Sequence, residues 1–307
     1  MNIVLLDAIT FGETKLDCFK DFGDVSVYQT TTVKETQERI LNAVVIVTNK
    51  VVITKEHMQN AKDLKLICVA ATGTNNVDLN AAKELGIEVK NVAGYSTDSV
   101  VQHTFSMLFY LIGHSRYYDE VTQSGSYSKS GVFTDVSHPF FEIKGKKWGI
   151  IGLGEIGRGV ANVAKAFGAD VCYYSTSGVN RNEYFQRTAL PAMLQECDII
   201  TIHAPLNDKT TNLLDYEALA MCKDGAVVLN LGRGGIINED AVSKLVDEKD
   251  ISFGLDVFSK EPLSQNSPLL TVKNKERLYL TPHIAWTSLE ARQKLIQSVC
   301  ENIKSSF

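Results

Sequence analysis

Arg233, Glu261 and His283 are the residues of this 307-residue chain whose types and settings suit acyl-type chemistry. Arg233 lies among glycines in Asn230-Leu231-Gly232-Arg233-Gly234-Gly235, so its planar guanidinium has an open approach and a fork that matches a carboxylate. His283, in Thr281-Pro282-His283-Ile284-Ala285-Trp286, carries a ring that exchanges a proton near neutral pH. Glu261, in Asp256-Val257-Phe258-Ser259-Lys260-Glu261-Pro262, can hold the far ring nitrogen and raise the pKa of the imidazole. Taken singly, each has a plainer explanation: a turn residue, an acid before a proline, a polar group at a strand end.

The element that must position them is Lys146–Phe167, KKWGIIGLGEIGRGVANVAKAF. Trp148–Ile151 suit a buried strand, and Val160, Val163, Ala164 and Phe167 recur at helical spacing. Gly152, Gly154 and Gly157 stand between strand and helix in the order of a dinucleotide fingerprint. The first glycine permits the tight turn, the second lets backbone reach a pyrophosphate, and the third lets the helix pack close to the strand. The helix N-terminus then offers free N–H groups and the positive end of its dipole to the phosphates.

The second strand of such a domain ordinarily ends in an acid that binds the ribose hydroxyls. Here Ser175 holds that place, followed by Thr176 and, a little further on, Arg181, and no carboxylate occurs from Val171 to Asn182. Hydroxyls and a guanidinium in place of a negative charge remove the repulsion against a 2′-phosphate. The cofactor expected is therefore NAD or NADP, with NADP favoured.

Composition excludes several classes. With 31 basic and 36 acidic residues the net charge is −5, which gives no general attraction for nucleic acid or an anionic membrane. The opening MNIVLLDAIT has no basic n-region and no run of eighteen apolar residues occurs, so a soluble, cytoplasmic protein is expected. Cys18, Cys68, Cys172, Cys197, Cys222 and Cys300 are widely spaced and are read as reduced thiols, with no metal-binding spacing among them.

Along the chain, Asn2–Asp7, Val25–Tyr28, Ala43–Thr48, Leu66–Ala70 and Ile87–Asn91 are β-rich runs separated by polar helical stretches, the pattern of a doubly wound parallel sheet. Thr32 with Glu35 forms a capping box, and Asp78 and Gly86 bracket a helix. Ala70–Val77 contains Thr72, Gly73 and Thr74, which either hold a small anion on backbone N–H groups or merely permit a turn. An apolar helix follows Tyr95 and runs to Tyr117; its His103 and His114 are read as packed or surface histidines. Tyr118–Ile143 is read as a long connection, with Phe133, Phe140 and Phe141 suited to a subunit contact. Val171–Tyr174, Ile199–His203, Ala226–Asn230 and Ser252–Val257 complete a second doubly wound domain.

The segments GLGEIG, NLGRGG, DVFSKEP and TPHIAW, in that order and spacing, make the chain resemble the D-2-hydroxyacid dehydrogenase family. Thr48–Val51, Ala70–Leu79 and Gly94–Phe105 resemble its glycerate dehydrogenase, or hydroxypyruvate reductase, branch.

That resemblance implies two Rossmann-like domains with a cleft between them. The substrate domain would be residues 1–97 plus 287–307, and residues 98–286 would bind the dinucleotide. It further implies that Arg233 binds the substrate carboxylate, that His283 protonates the keto oxygen as hydride arrives, and that Glu261 pairs with His283. Asp256 would meet the nicotinamide carboxamide, while Glu155, Ile156, Leu231, Gly232 and Ala285 would contact the dinucleotide. Thr72, Gly73, Thr74 and Trp286 would join Arg233 and His283 around the substrate. The partner implied is a small 2-keto or 2-hydroxy acid, best matched by hydroxypyruvate and D-glycerate or by glyoxylate, in a homodimer. A dinucleotide-sensing binding protein of corepressor type is the second reading of the same fold.

Overall fold

Short runs of four or five largely apolar residues, alternating with short amphipathic stretches, favour parallel strands covered by crossover helices. A computed structural model of the chain describes residues 1–179 and 181–307. It opens with β1 (Asn2–Leu5), β2 (Asp24–Val27), α1 (Val33–Ile40), β3 (Val45–Thr48), α2 (Lys55–Asn60), β4 (Leu66–Val69), α3 (Leu79–Glu84) and β5 (Glu88–Asn91). There follow α4 (Thr97–Ile112), α5 (Ser115–Gln123), α6 (Ser126–Lys129), β6 (Lys147–Ile151), α7 (Glu155–Ala166), β7 (Asp170–Tyr174), β8 (Gln186–Arg187), α8 (Leu190–Glu196) and β9 (Ile199–Ile202). The remainder is α9 (Tyr216–Ala220), β10 (Ala226–Asn230), α10 (Glu239–Glu248), β11 (Ile251–Leu255), β12 (Leu278–Leu280) and α11 (Leu289–Ser306). The chain divides into two compact units, Met1–Ser96 with Thr287–Phe307, and Thr97–Trp286. Both are Rossmann-like α/β layers.

In the first unit the parallel sheet runs β2-β1-β3-β4-β5 among the described residues, so strand order reverses between β1 and β3. A reversal leaves a crevice at the carboxyl ends of the strands. Asp7, just beyond β1 and 6% exposed, closes it by accepting the backbone N–H groups of Asn49 (2.9 Å) and Lys50 (2.6 Å) after β3. Thr32 and Glu35 form the expected capping box of α1, and Asp78 caps α3 through the Ala81 N–H.

α11 returns the chain to this unit with Leu295, Ile296, Val299, Cys300 and Ile303 buried. That return corrects the reading of six free thiols. Cys300 meets Cys18, with Cα atoms 6.4 Å apart, and the two form a disulfide across a sequence separation of 282. Cys68, Cys172, Cys197 and Cys222 remain thiols. No local spacing could signal a pair made by the two ends of the chain meeting in space.

The second unit has the order β12-β11-β10-β9-β6-β7-β8 among the described residues, every neighbour parallel, with the reversal between β6 and β9. The edge strands β8 and β12, two and three residues long, are too short to show in the sequence pattern. α4 buries Val100, Thr104, Phe105, Met107, Leu108, Leu111 and Ile112 in a core shared with Trp148, Ile150 and Leu229.

α4 ends at Ile112 rather than at Tyr117. Gly113 weakens the helix, and His114 takes a left-handed φ of 46° that turns the chain into α5. α5 buries none of its residues fully: Tyr117, Tyr118 and Val121 make a half-buried face about one turn long, and the i,i+4 pairs Arg116–Glu120 and Asp119–Gln123 hold its exposed side.

Replacing Asp7 by alanine strands the buried Asn49 N–H and the part-buried Lys50 N–H. We expect a loss of about 2 to 4 kcal/mol in urea denaturation, and a loss below about 1 kcal/mol would show that those donors find other partners. Thiol titration of the unreduced, denatured chain is expected to give four thiols, as the pairing requires; six would remove the disulfide.

Candidate active site

The turn after β6 has the shape a pyrophosphate needs. Gly152 takes φ 92°, and a Cβ there would lie 2.9 Å from the Ala204 backbone. A Cβ on Gly157 would collide with the Gly152 carbonyl, so α7 packs closer to the strand than any other residue allows. Gly154, the N-cap of α7, is the reverse case: a Cβ there meets nothing within 4 Å. The open ground before the free N–H groups of a twelve-residue helix fits a dinucleotide phosphate. Glu155 begins that helix exposed, and Ile156 is half-buried.

A second observation at the same place supports a ligand. His203 leaves the carboxyl end of β9, the strand beside β6 at the reversal, and Ala204 next to it is the residue that crowds Gly152. Both ring nitrogens of His203 are buried and have no partner among the described residues. Burial pushes its pKa down to about 3, so the ring is neutral.

At the ribose end, Ser175 follows β7 and is buried, 3.5 Å from the Ser177 hydroxyl; Thr176 is half-buried and Arg181 exposed. The pocket carries hydroxyls and a cation and no carboxylate from residues 171 to 179 or at 181 and 182.

β10, β11 and β12 are parallel neighbours, so the loops that leave their carboxyl ends share one edge of the sheet. Each loop is tied by a buried polar side chain. After β10, the wholly buried Asn230 accepts the Gly232 N–H (3.1 Å) through Oδ1 and donates from Nδ2 to the Arg233 carbonyl (2.9 Å). Leu231 and Gly232 are buried by that turn, whereas Arg233 is exposed and makes no ion pair among the described residues. The next residue explains the glycine run, since a Cβ on Gly234 would collide with the Phe258 carbonyl. The Arg233 loop therefore lies against the loop that carries Glu261.

Glu261 acts at two points. Its Oε1 accepts the Phe258 N–H (3.0 Å), which fixes its own loop, and Oε2 lies 2.8 Å from His283 Nδ1. A carboxylate accepts only, so Nδ1 donates and Nε2 is left to face a reactant. His283 has φ 55°, a left-handed conformation unusual for a residue with a side chain. It is held there by Asp256, 1% exposed, whose Oδ1 accepts from Thr281 Oγ1 (2.6 Å) and the Ile284 N–H (2.8 Å), and whose Oδ2 accepts the Ala285 N–H (3.0 Å). Ser99 secures the Ala285 carbonyl at 2.6 Å, and Trp286 is half-buried beyond it.

The structure thus brings His283 and Glu261 into direct contact and sets Arg233 on the adjoining loop. In the first unit, Thr72 donates its hydroxyl to the Val92 carbonyl (3.2 Å), so an anion at this loop would rely on backbone N–H groups; Gly73 and Thr74 are half-buried. Sequence reasoning gave no part to Asn230, Thr281 and His203. A polar residue at a strand's carboxyl end is the one signal that could have flagged Asn230, Thr281 and His203. Among the described residues no group of three metal-binding side chains occurs, and no helix is long and apolar enough to cross a membrane.

A doubly wound sheet with a glycine turn of this geometry is the architecture that nicotinamide-dinucleotide oxidoreductases use. The family model for the D-isomer specific 2-hydroxyacid dehydrogenase, NAD binding domain, matches residues 105–285. The chain is 33% identical over 312 residues to a hydroxypyruvate reductase of Blautia hydrogenotrophica, covering 99% of this chain and 96% of that protein. It is 33% identical over 309 residues to a glycerate dehydrogenase of Methylorubrum extorquens, covering 99% and 95%. An acyclic imino acid reductase solved with NADPH and D-Arg superposes with a TM-score of 0.85 at 28% identity, covering 99% and 96%. The chain belongs to the D-2-hydroxyacid dehydrogenase family.

The glycine geometry separates binding from folding. Gly154→Ala adds a methyl to open ground and should leave the melting temperature within about 2 °C while weakening dinucleotide binding at least roughly tenfold in a fluorescence titration. Gly157→Ala, which meets backbone, should lower the melting temperature as well. Unchanged affinity in the first variant would remove the phosphate from this helix end.

Proposed function

We propose that this protein reduces a small 2-keto acid to the D-2-hydroxy acid, with hydroxypyruvate and D-glycerate the best-matched pair and glyoxylate the nearest alternative. The observation that carries the reading is the 2.8 Å His283–Glu261 pair, on the sheet edge that also presents Arg233 and the glycine turn. The substrate choice follows the Blautia and Methylorubrum relatives, which match along nearly the whole chain.

The dinucleotide, when bound, supplies the hydride that reaches the carbonyl carbon. Gly152, Gly154, Gly157 and the first turn of α7, with Glu155 and Ile156, hold its pyrophosphate, and Leu231, Gly232, Asp256 and Ala285 serve the nicotinamide end. Arg233 grips the substrate carboxylate with its fork and draws electron density toward the keto oxygen. His283 donates the Nε2 proton to that oxygen, where charge develops only as the carbon–hydrogen bond forms, so the donor lowers the barrier selectively. Glu261 stabilises the imidazolium before transfer and keeps the ring oriented afterwards, and the same groups run the reverse oxidation. Trp286 shapes the substrate side of the second unit. In the first unit, the Thr72-Gly73-Thr74 backbone is our candidate for a further contact to an anion.

For the cofactor we favour NADP. Ser175, Thr176 and Arg181 offer hydroxyls and a cation to a 2′-phosphate, and the sequence from Val171 to Asn182 has no carboxylate. We further propose a homodimer, because Val132, Phe133, Val136 and Phe140 form an exposed apolar segment of the dinucleotide unit, with Phe133 89% exposed. A cytoplasmic setting follows from the need for a reduced dinucleotide pool.

The test is a panel of hydroxypyruvate, glyoxylate, pyruvate and phosphohydroxypyruvate with NADH and NADPH. His283→Ala should lower kcat by about 10² to 10⁴-fold with little change in KM. Arg233→Ala should raise the substrate KM as well as lower kcat, and Arg181→Ala should raise the KM for NADPH alone. No cofactor oxidation with any of the four acids would refute the reaction, and equal use of both cofactors by protein with and without Arg181 would refute the NADP preference.

A further inference from the structure

His103 lies on α4, in no motif that the dehydrogenase reading uses, yet its ring reaches the base of the turn that carries His283. Its Nε2 is 3.3 Å from Thr281 Oγ1 and 3.7 Å from Asp256 Oδ1. Thr281 has a single hydroxyl hydrogen. At 2.6 Å from a carboxylate, which cannot donate, that hydrogen points to Asp256 Oδ1. Oγ1 then has only lone pairs to offer His103, so Nε2 of His103 is the protonated nitrogen and donates to it. The result is a directed chain, from imidazole N–H to hydroxyl to buried carboxylate, and each bond polarises the next.

The end of that chain is the carboxylate that accepts the Ile284 and Ala285 N–H groups and so keeps His283 in its left-handed conformation. Without His103 the Thr281 rotor is free to turn away from Asp256, and Oδ1 loses one of its two partners. Burial pushes the His103 pKa below the usual imidazole value, against the opposing pull of Asp256, which suits a neutral donor. Asp256 and Thr281 face the ring.

We propose that His103 is a positioning residue for the reaction: through Thr281 and Asp256 it holds the 283–285 turn in the conformation that aims His283. The proposal rests on the reading of His283 as the proton donor, and the experiment separates the two.

His103→Gln keeps an N–H donor near the Nε2 position and His103→Phe fills the space without one; Thr281→Ser and Thr281→Val make the same comparison at the hydroxyl. Two quantities are read: steady-state kinetics with hydroxypyruvate and NADPH, and exchange rates of the Ile284 and Ala285 amide hydrogens by NMR. We expect His103→Phe and Thr281→Val to lower kcat roughly tenfold with both KM values within about twofold, and to speed exchange of the two amides at least about tenfold. His103→Gln and Thr281→Ser should stay within about twofold of the unaltered protein on every measure.

Exchange and turnover unaltered in His103→Phe would overturn the proposal, as would equal damage in the Gln and Phe variants. Should His103→Phe fail to fold, the Thr281 pair decides by the same criteria. An unaltered protein that turns over no 2-keto acid would count against the proposed reaction, while the exchange rates would still decide whether His103 holds the turn.

Discussion

The buried carboxylate of Asp256 is the constraint on which the geometry of the His283–Glu261 pair depends. Placing a charge at 1% exposure is costly unless hydrogen bonds replace the lost water, and here Thr281, Ile284 and Ala285 replace it. The arrangement has few alternatives, because any other path for the 283–285 backbone would strand the carboxylate. That is how a residue with a Cβ comes to occupy the left-handed region at His283, an unfavourable choice that neighbouring bonds outweigh. Asp256 is tied to the next strand as well, since its own N–H donates to the Asn230 carbonyl at 3.0 Å. Asn230 in turn shapes the Arg233 loop, so cation and imidazole are set by two buried side chains one strand apart.

The same solution appears in the first unit. Asp7 stands where strand order reverses and accepts N–H groups from the loop after the neighbouring strand, as Asp256 does for the loop after β12. In a parallel sheet every strand ends on the same edge, and loops there leave backbone donors that no strand satisfies. An aspartate just past a strand is long enough to reach the next loop and short enough to be rigid. Each unit therefore has one loop at the carboxyl edge of its sheet fixed by a charge sealed beneath it.

Legibility in the sequence followed the range of the interaction. The glycine turn was readable because its three constraints lie within six residues, and the structure shows the tight turn, open face and close packing that the spacing implies. The Thr32 capping box and the Asp78 cap were readable for the same reason. The Glu261–His283 contact spans 22 residues; the residue types make the pairing chemically apt and the resemblance adds its place. His103 to Thr281 spans 178 and Cys18 to Cys300 spans 282; nothing in a local window distinguishes those residues from packed neighbours. α5 escaped for a different reason: its apolar face, Tyr117, Tyr118 and Val121, is short and only half-buried, so it does not stand out from the aromatic and polar residues around it.

A division of labour between sealed and open groups follows from these contacts. Asn230 and Asp256 are buried and bonded to the chain itself, so their geometry is set before any reactant arrives. Arg233 is exposed, and the His283 side chain keeps about a quarter of its surface open. A reacting group must meet solvent and substrate in turn, and in water its own side-chain freedom would blur its position. Fixing the backbone beneath it from inside the sheet confines that freedom without covering the reactive atoms. Gly234 completes the logic, because its missing Cβ lets the Arg233 loop rest on the Phe258 carbonyl, and the loop gains its rigidity from backbone packing instead of from a side chain that would crowd the guanidinium.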